Sequence, residues 1–352
     1  MTKVLVTGAA GFIGGYVVEE LLARGYTVVG LDNLSKYGRP ARSLPDHPRY
    51  TPVIGDAGDR ALLTQLLDHC EHFIANAALI GGVRYMAELP LDILAENNRL
   101  VAGAAYAGIE AYRTGVLRKV TYVSSSMVFE KVEDGKIAEG DELEFPPPAT
   151  AYGFQKLAVE YYAKAAWDQY ALPWTIVRPF NCVGAGERRT PHGGADPGEQ
   201  RPLVQGHVIP DFAERALRRE TPFRILGDGQ QFRTFTHARD MATGIVLAME
   251  QEAATNEDFN LSGSYGCTIE SLARLVWDKI NPSMPLVLEH VPSFPNDVRA
   301  RHPSVGKAER LLGFTPTTPL EAMVDEVVEW VRQEGVAVVT AAKATDIAAL
   351  GR

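Results

Sequence analysis

The chain has 352 residues, 46% hydrophobic and 22% charged, an ordinary globular make-up with length for a large core and a smaller second one. A net charge of -9 argues against a generally basic, nucleic-acid-binding surface, yet local arginines can still hold an anionic small substrate. The three cysteines, Cys70, Cys182 and Cys267, are far apart and form no Cys-x-x-Cys pair, which speaks against a zinc site or a disulfide scaffold. No secretory signal and no apolar stretch of bilayer length is visible, so the expectation is a cytoplasmic protein without membrane contact.

In chain order, the apolar run Lys3 to Val6 breaks at Gly8, Gly11 and Gly14 and resumes as a helical pattern through Tyr16, Val17, Leu21 and Leu22. This reads as strand, tight turn, helix N-terminus, with Phe12 and Ile13 inside the turn. Glycines let the backbone approach a pyrophosphate, whose charge sits at the positive end of the helix. The next strand, Tyr26 to Leu31, ends at Asp32, followed by Asn33. An acidic residue about 20 positions beyond such a loop accepts hydrogen bonds from a ribose diol and repels a 2′-phosphate, which selects NAD. Asp32 could also simply open a turn, and Lys36 and Arg39 stand close enough to serve a phosphate, as NADP would need.

Strands over 50–54, 70–78, 119–124 and 174–178 alternate with helices over 60–69, 92–113 and 151–170. Such alternation implies right-handed crossovers and a doubly wound parallel sheet, with ligands at the carboxyl ends of the strands. From residue 181 the texture changes. Residues 184–206 are rich in Gly, Pro, Arg and His without a clear period, which reads as a binding loop or an excursion. A helix over 207–219, a strand over 223–226, helices over 237–250 and 268–280, an extended run over 284–291 and a last helix over 320–334 complete the pattern. The expected division is a dinucleotide domain over 1–180, joined again by 237–265. A substrate domain takes 181–236 and 266–318, and the rest, 319–352, is a C-terminal helix and peripheral tail.

Two features carry chemistry. Tyr152 has Lys156 one helical turn on, and an ammonium beside a phenol lowers its pKa, fitting it to take a proton from a substrate hydroxyl. Upstream, Ser124, Ser125 and Ser126 follow a strand, where a hydroxyl can bond the same substrate oxygen; plain turn chemistry is the alternative.

The glycine loop, Asp32, Asp56, the serine run, Tyr152-x-x-x-Lys156 and Arg178-Pro179-Phe180-Asn181 together closely resemble the extended short-chain dehydrogenase/reductase family, in its nucleotide-sugar epimerase/dehydratase branch. The resemblance spans residues 3–330. It implies a Rossmann-type α/β fold with a smaller mixed α/β domain, NAD as cofactor and a nucleotide-diphosphate sugar as substrate. It makes Tyr152 the base, Lys156 a second ligand of the nicotinamide ribose, and Ser125 the assisting hydroxyl. Asp56 and Ala57 match the adenine-contacting pair, and Ala77, Ala78, Asn98 and Pro179 match segments that line the cofactor or brace the sheet edge. On the substrate side it implies roles for Ser126, Asn181, Val208, Arg233 and Arg301, with Lys307 completing an Arg…Lys pattern and Ser304 replacing the usual Asp. Helices 92–113 and 151–170 resemble a four-helix homodimer interface, although burial within one chain explains their apolar stripes equally well.

Members that eliminate water carry Thr-Asp-Glu where this chain has Ser125-Ser126-Met127, which disfavours a dehydratase. The run Ala77 to Gly82 and Arg233 to Thr236 resemble 3,5-epimerases, but their acid/base cysteine falls at Met127, and a thioether transfers no protons. That chemistry would need His192, His207 or Glu130 as a substitute. Glu130 itself stands where the family has glycine. The expected reaction is therefore epimerisation at C4 with NAD retained, and the loop residues Arg188, Arg189, His192 and Arg201 are candidates for a sugar carboxylate. A net dehydrogenase and a non-catalytic dinucleotide sensor are the rivals.

Overall fold

Val4, Leu5 and Val6 are fully buried, and the strand that holds them, β1 (Lys3–Thr7), lies between two parallel neighbours. Strands buried on both faces read as continuous apolar runs, as this one does. The computed structural model describes residues 2–132, 136–187, 207–293 and 298–334. From β1 the chain passes through α1 (Phe12–Ala23), β2 (Thr27–Asp32), β3 (Tyr50–Ile54), α2 (Arg60–Leu67) and β4 (His72–Ala75). Next come α3 (Val83–Glu88), α4 (Pro90–Arg113), β5 (Lys119–Val123) and a 3-10 turn over Ser126–Phe129. β6 (Lys136–Ile137), α5 (Asp141–Glu144), α6 (Ala151–Tyr170), β7 (Trp174–Pro179) and β8 (Cys182–Val183) follow.

The later elements are α7 (Val208–Leu217), β9 (Phe223–Leu226), β10 (Phe232–His237), α8 (Ala238–Glu250), β11 (Glu257–Leu261) and β12 (Tyr265–Thr268). α9 (Ile269–Ile280), β13 (Leu288–Val291), β14 (His302–Pro303), α10 (Gly306–Leu312) and a helix over 320–334, α11, close the described chain.

Seven strands form one parallel sheet in the order β11-β7-β5-β4-β1-β2-β3. The order reverses between β1 and β4, and a crevice opens at the carboxyl ends of strands at such a switch point. On one face α1 and α8 bury Tyr16, Val17, Leu21, Met241 and Ile245 against the sheet. On the other, α2, α4 and α6 bury Leu63, Val101, Ala107 and Val159. A separate core around Phe212, Phe223, Phe235 and Trp277, with Met323 and Val327 of α11, lies among the smaller sheets. Of these, β12-β10-β8 is mixed, and β13-β9 and β14-β6 are parallel pairs.

The expected α/β architecture holds. The structure adds α3, β6, α5, β8, β10, β11, β12, β14 and α10, which the sequence pattern did not reveal, and shortens the strand expected over 70–78 to His72–Ala75. Beyond Ala75 the chain leaves the sheet to line the crevice. Lys119 is an unexpected core residue at 5% exposure: its Nζ donates to Ala248 O (2.8 Å) and Gln251 O (3.1 Å), capping the last turn of α8. Burial pushes its amine down to about 8. No helix among the described residues is long and apolar enough to cross a membrane.

Candidate active site

The switch-point crevice opens into a cleft of about 770 Å³, within the range of small-molecule sites. One end is made of backbone. Gly8 takes φ +68°, and its N–H donates to Leu31 O (2.8 Å), while Gly11 N–H donates to Gly8 O (3.1 Å). α1 approaches so closely that a Cβ on Gly14 would lie 1.9 Å from Gly8 O, so only glycine fits there. The N-cap of α1 is Gly11, which supplies no side-chain cap. First-turn N–H groups of that kind are the donors a pyrophosphate takes, and the residues present therefore fit a dinucleotide. Gly8, Gly11, Phe12, Ile13 and Gly14 all line the cleft.

Asp32 and Asn33 line it as well. Asp32 Oδ2 accepts from Ala10 N–H (3.0 Å) and Oδ1 from Leu34 N–H (2.8 Å), so the carboxylate both ties the glycine loop to β2 and opens a turn. Ala57, Ala77 and Ala78 form the next stretch of wall. Asp56 does not reach it. Its Oδ1 accepts from Gly58 N–H (2.8 Å) and Arg99 Nη2 (2.9 Å), and the Arg99 guanidinium holds its carboxyl below the usual range. Asn98 also lies off the cleft. The bracing role expected of it belongs to its neighbour Asn97, whose side chain accepts from Leu79 N–H (2.6 Å) and donates to Leu79 O (3.0 Å). One residue along a helix turns a side chain by about 100°, enough to change the face.

Side chains make the other end. β5 stops at Val123, and Ser125 caps the 3-10 turn, its Oγ accepting from Met127 N–H (3.2 Å). Thr150 caps α6 in the same way, with Oγ1 accepting from Gly153 N–H (3.1 Å), which sets Tyr152 in the first turn. Tyr152 is 5% exposed and lines the cleft with Lys156, Ser126, Met127 and Pro179. Ser125 stands behind this wall, hydrogen-bonded to Tyr152. Lys156 Nζ donates to Val123 O (2.9 Å) and lies 5.9 Å from the centre of the Tyr152 ring.

The lysine was expected to lower the phenol pKa, and within these residues it does not. Burial pushes Tyr152 up to about 12, opposed only by the Ser125 hydrogen bond. Burial also brings Lys156 down to about 8, against Glu160, which raises it. A dry pocket penalises both charged forms, and this outweighs their mutual attraction.

Behind the serines lies a buried ionic cluster that sequence reading registered only as part of a motif. Arg178 is fully buried. Its Nη2 meets Glu142 (2.8 Å), Glu160 (2.6 Å) and Asp258 (2.7 Å), and its Nε donates to Glu160 Oε1 (2.8 Å). The three carboxylates lie close enough to hold a cation, and the cation among them is this guanidinium. Glu160 also accepts from Ser124 Oγ (2.7 Å), so the cluster braces the serine run.

Asn181, Arg233 and Arg301 line the cleft; Val208 does not. Asn181 takes φ +36° and donates to Thr234 O (2.8 Å), and Arg233 Nη1 donates to Phe232 O (2.9 Å). Arg301, 6% exposed, comes from a remote segment to donate to Ser126 Oγ (3.2 Å), with Nη2 3.3 Å from Met127 Sδ. Lys307 stays outside, paired with Asp258 (2.7 Å) and Glu257 (2.8 Å). Ser304 is also outside, donating its N–H to Ile137 O (2.7 Å) beside β14. Glu130 and Thr150 line the cleft and were not read from the sequence as wall residues. Arg188, Arg189, His192 and Arg201 lie outside the described residues, as does the tail 336–352. At the described ends of that loop, His207 Nδ1 meets Glu187 Oε1, and both line the cleft.

The chain is similar to known proteins along most of its length. The NAD dependent epimerase/dehydratase family matches residues 4–262. The UDP-glucose 4-epimerase of Halalkalibacterium halodurans is 28% identical over 93% of this chain and 95% of its own. UDP-glucuronic acid decarboxylase 2 of Arabidopsis thaliana is also 28% identical, over 94% of this chain and 68% of its own. Among solved structures, the UDP-glucose 4-epimerase of Thermotoga maritima with UDP-glucose superposes with a TM-score of 0.76 at 26% identity, covering 95% of this chain and 99% of that one.

Proposed function

We propose that this chain, which belongs to the NAD dependent epimerase/dehydratase family, epimerises a nucleotide-diphosphate sugar at C4. The family modifies nucleotide sugars with NAD, and NAD is the cofactor here. The observation that carries the finer reading is the wall around Tyr152: a phenol hydrogen-bonded to Ser125, Lys156 beside it, and a thioether at Met127. Bound NAD supplies a reversible hydride acceptor. Tyr152 Oη takes the proton of the sugar hydroxyl as its carbon is oxidised, and Ser125 holds the phenol in line. Lys156 fixes the end of β5 through Val123 O, and the positive nicotinamide ring of bound NAD would supply the charge that favours the phenolate in this dry pocket. The keto sugar turns over in the wide cleft, hydride returns to its opposite face as Tyr152 returns the proton, and the configuration at that carbon is inverted. Arg233 holds the diphosphate side, where a guanidinium fork suits phosphate oxygens. A thioether at Met127, beside Ser126, transfers no proton for expelling water, and the Glu130 carboxyl on that wall is anchored on Thr150.

The test is a panel of UDP-, GDP-, dTDP- and CDP-sugars followed by NMR in deuterated water. The expected outcome is interconversion of C4 epimers with every C–H hydrogen retained. Deuterium entering at C3 or C5 refutes the reading, and steady accumulation of NADH moves the protein to the dehydrogenases. The same reading takes the protein as a homodimer through α4 and α6, whose outer faces expose Leu91, Tyr106, Phe154, Tyr161 and Trp167. Light scattering that returns a monomer mass rejects the dimer.

A further inference from the structure

We propose that Glu130 sets the charge of the sugar that this site accepts, favouring a neutral hexose over a uronate; the proposal rests on the nucleotide-sugar reading above. Glu130 ends the 3-10 turn that begins at Ser126, and it is 7% exposed. Its Oε2 accepts from Thr150 N–H (3.1 Å) and Thr150 Oγ1 (2.8 Å), the cap of the helix that carries Tyr152. Its Oε1 is buried and has no hydrogen-bond partner among the described residues. Glu130 lines the cleft together with Met127, Thr150 and Tyr152, at the end where the sugar reacts. The positive end of α6 stabilises a negative charge at that place.

A buried acceptor with one oxygen anchored and the other unpartnered calls for a donor. A hexose hydroxyl supplies one. A sugar carboxylate supplies none, and it brings a second negative charge beside the first. Arg301 lies on the same wall and acts in the opposite sense. Its guanidinium is turned onto Ser126 Oγ (3.2 Å) and towards Met127 Sδ (3.3 Å), so the two residues oppose each other and the sign of the selectivity reports which prevails.

The experiment measures calorimetric affinities of UDP, UDP-glucose and UDP-glucuronate for the NAD-loaded wild type, Glu130→Gln and Glu130→Ala. The glutamine keeps an oxygen for Thr150 and removes the charge; the alanine removes both. The wild type is expected to prefer UDP-glucose. In Glu130→Gln the ratio of glucose to glucuronate affinities should fall about tenfold or more, with UDP itself unchanged. An unchanged ratio in Glu130→Gln, with only Glu130→Ala losing thermal stability, would reduce Glu130 to a brace for α6 and overturn the proposal. A wild type that prefers UDP-glucuronate would hand the selectivity to Arg301 and overturn it too. Binding of neither sugar nor UDP would remove the UDP-sugar premise, and the proposal with it. Binding without the change in ratio removes the proposal alone.

Discussion

The two ends of the cleft are built from different material. Around Gly8, Gly11 and Gly14 the ligand-facing surface is main chain, held by local hydrogen bonds and by the absence of side chains. Around Tyr152 it is side chain, assembled from β5, the 3-10 turn, α6 and Arg301, a residue 175 positions from its partner Ser126. A backbone site tolerates almost any sequence that keeps its glycines. A side-chain site depends on every element that aims a group into it. The difference predicts different failures on mutation.

Tyr152→Phe breaks the side-chain end in its chemistry alone. Turnover of the sugar should drop by about 10³-fold, while NAD affinity and melting temperature stay near wild type. A variant retaining full turnover removes Tyr152 from the reaction. Arg178→Met attacks the foundation of the same end, because Glu142, Glu160 and Asp258 would then face one another in a dry interior. A loss of about 3–5 kcal/mol is expected in denaturant unfolding. Gly14→Ala strikes the backbone end: its Cβ would meet a main-chain oxygen at 1.9 Å, for a cost of about 1–3 kcal/mol and weakened NAD binding. The matched control is the next residue, Gly15→Ala. The nearest atom there is 3.9 Å away, and alanine should gain about 0.5–1 kcal/mol as the better helix former.

A pH-dependent effect concerns the node that ties α11 to α1 and β10. Glu326 accepts from Tyr16 Oη (2.9 Å) and Ala185 N–H (3.1 Å) and pairs with His237 Nε2 (3.1 Å). The His237 contact first, then the Ala185 N–H, outweigh burial and hold its carboxyl down to about 2. A depressed carboxyl stabilises the fold above its unfolded value near 4.5, and that contribution fades as pH falls towards 2. Glu326→Gln should thus cost about 2 kcal/mol at pH 7, with the gap to wild type closing between those two pH values. A gap constant down to pH 3 would show that the charge contributes nothing.

The same contrast decides what could be read from the sequence. The glycine spacing, Asp32 and the alternation of strands and helices through β7 are local patterns, and they led directly to the parallel sheet. β11 was invisible because Glu257 and Asp258 open it with charges, and only Arg178 and Lys307 explain why they are tolerated there. Asn97 and Asn98 are adjacent polar residues on a helix, and only packing decides which one faces Leu79. The Tyr152–Lys156 spacing put the pair on one face, but spacing carries no information about burial, and burial governs the Tyr152 phenol. Glu130 registered as a departure from glycine and as a substitute acid or base, but not as the anchor of the α6 cap, because its partner Thr150 lies 20 residues away.

The Arg178 cluster also sets an order on synthesis. Arg178 emerges from the ribosome soon after Glu142 and Glu160, but well before Asp258 and the lysine that in turn neutralises Asp258, Lys307. Until β11 arrives, β7 is an unpaired edge with its guanidinium short of one counter-charge. The support behind the Tyr152 wall is therefore completed only when the last third of the chain has been made.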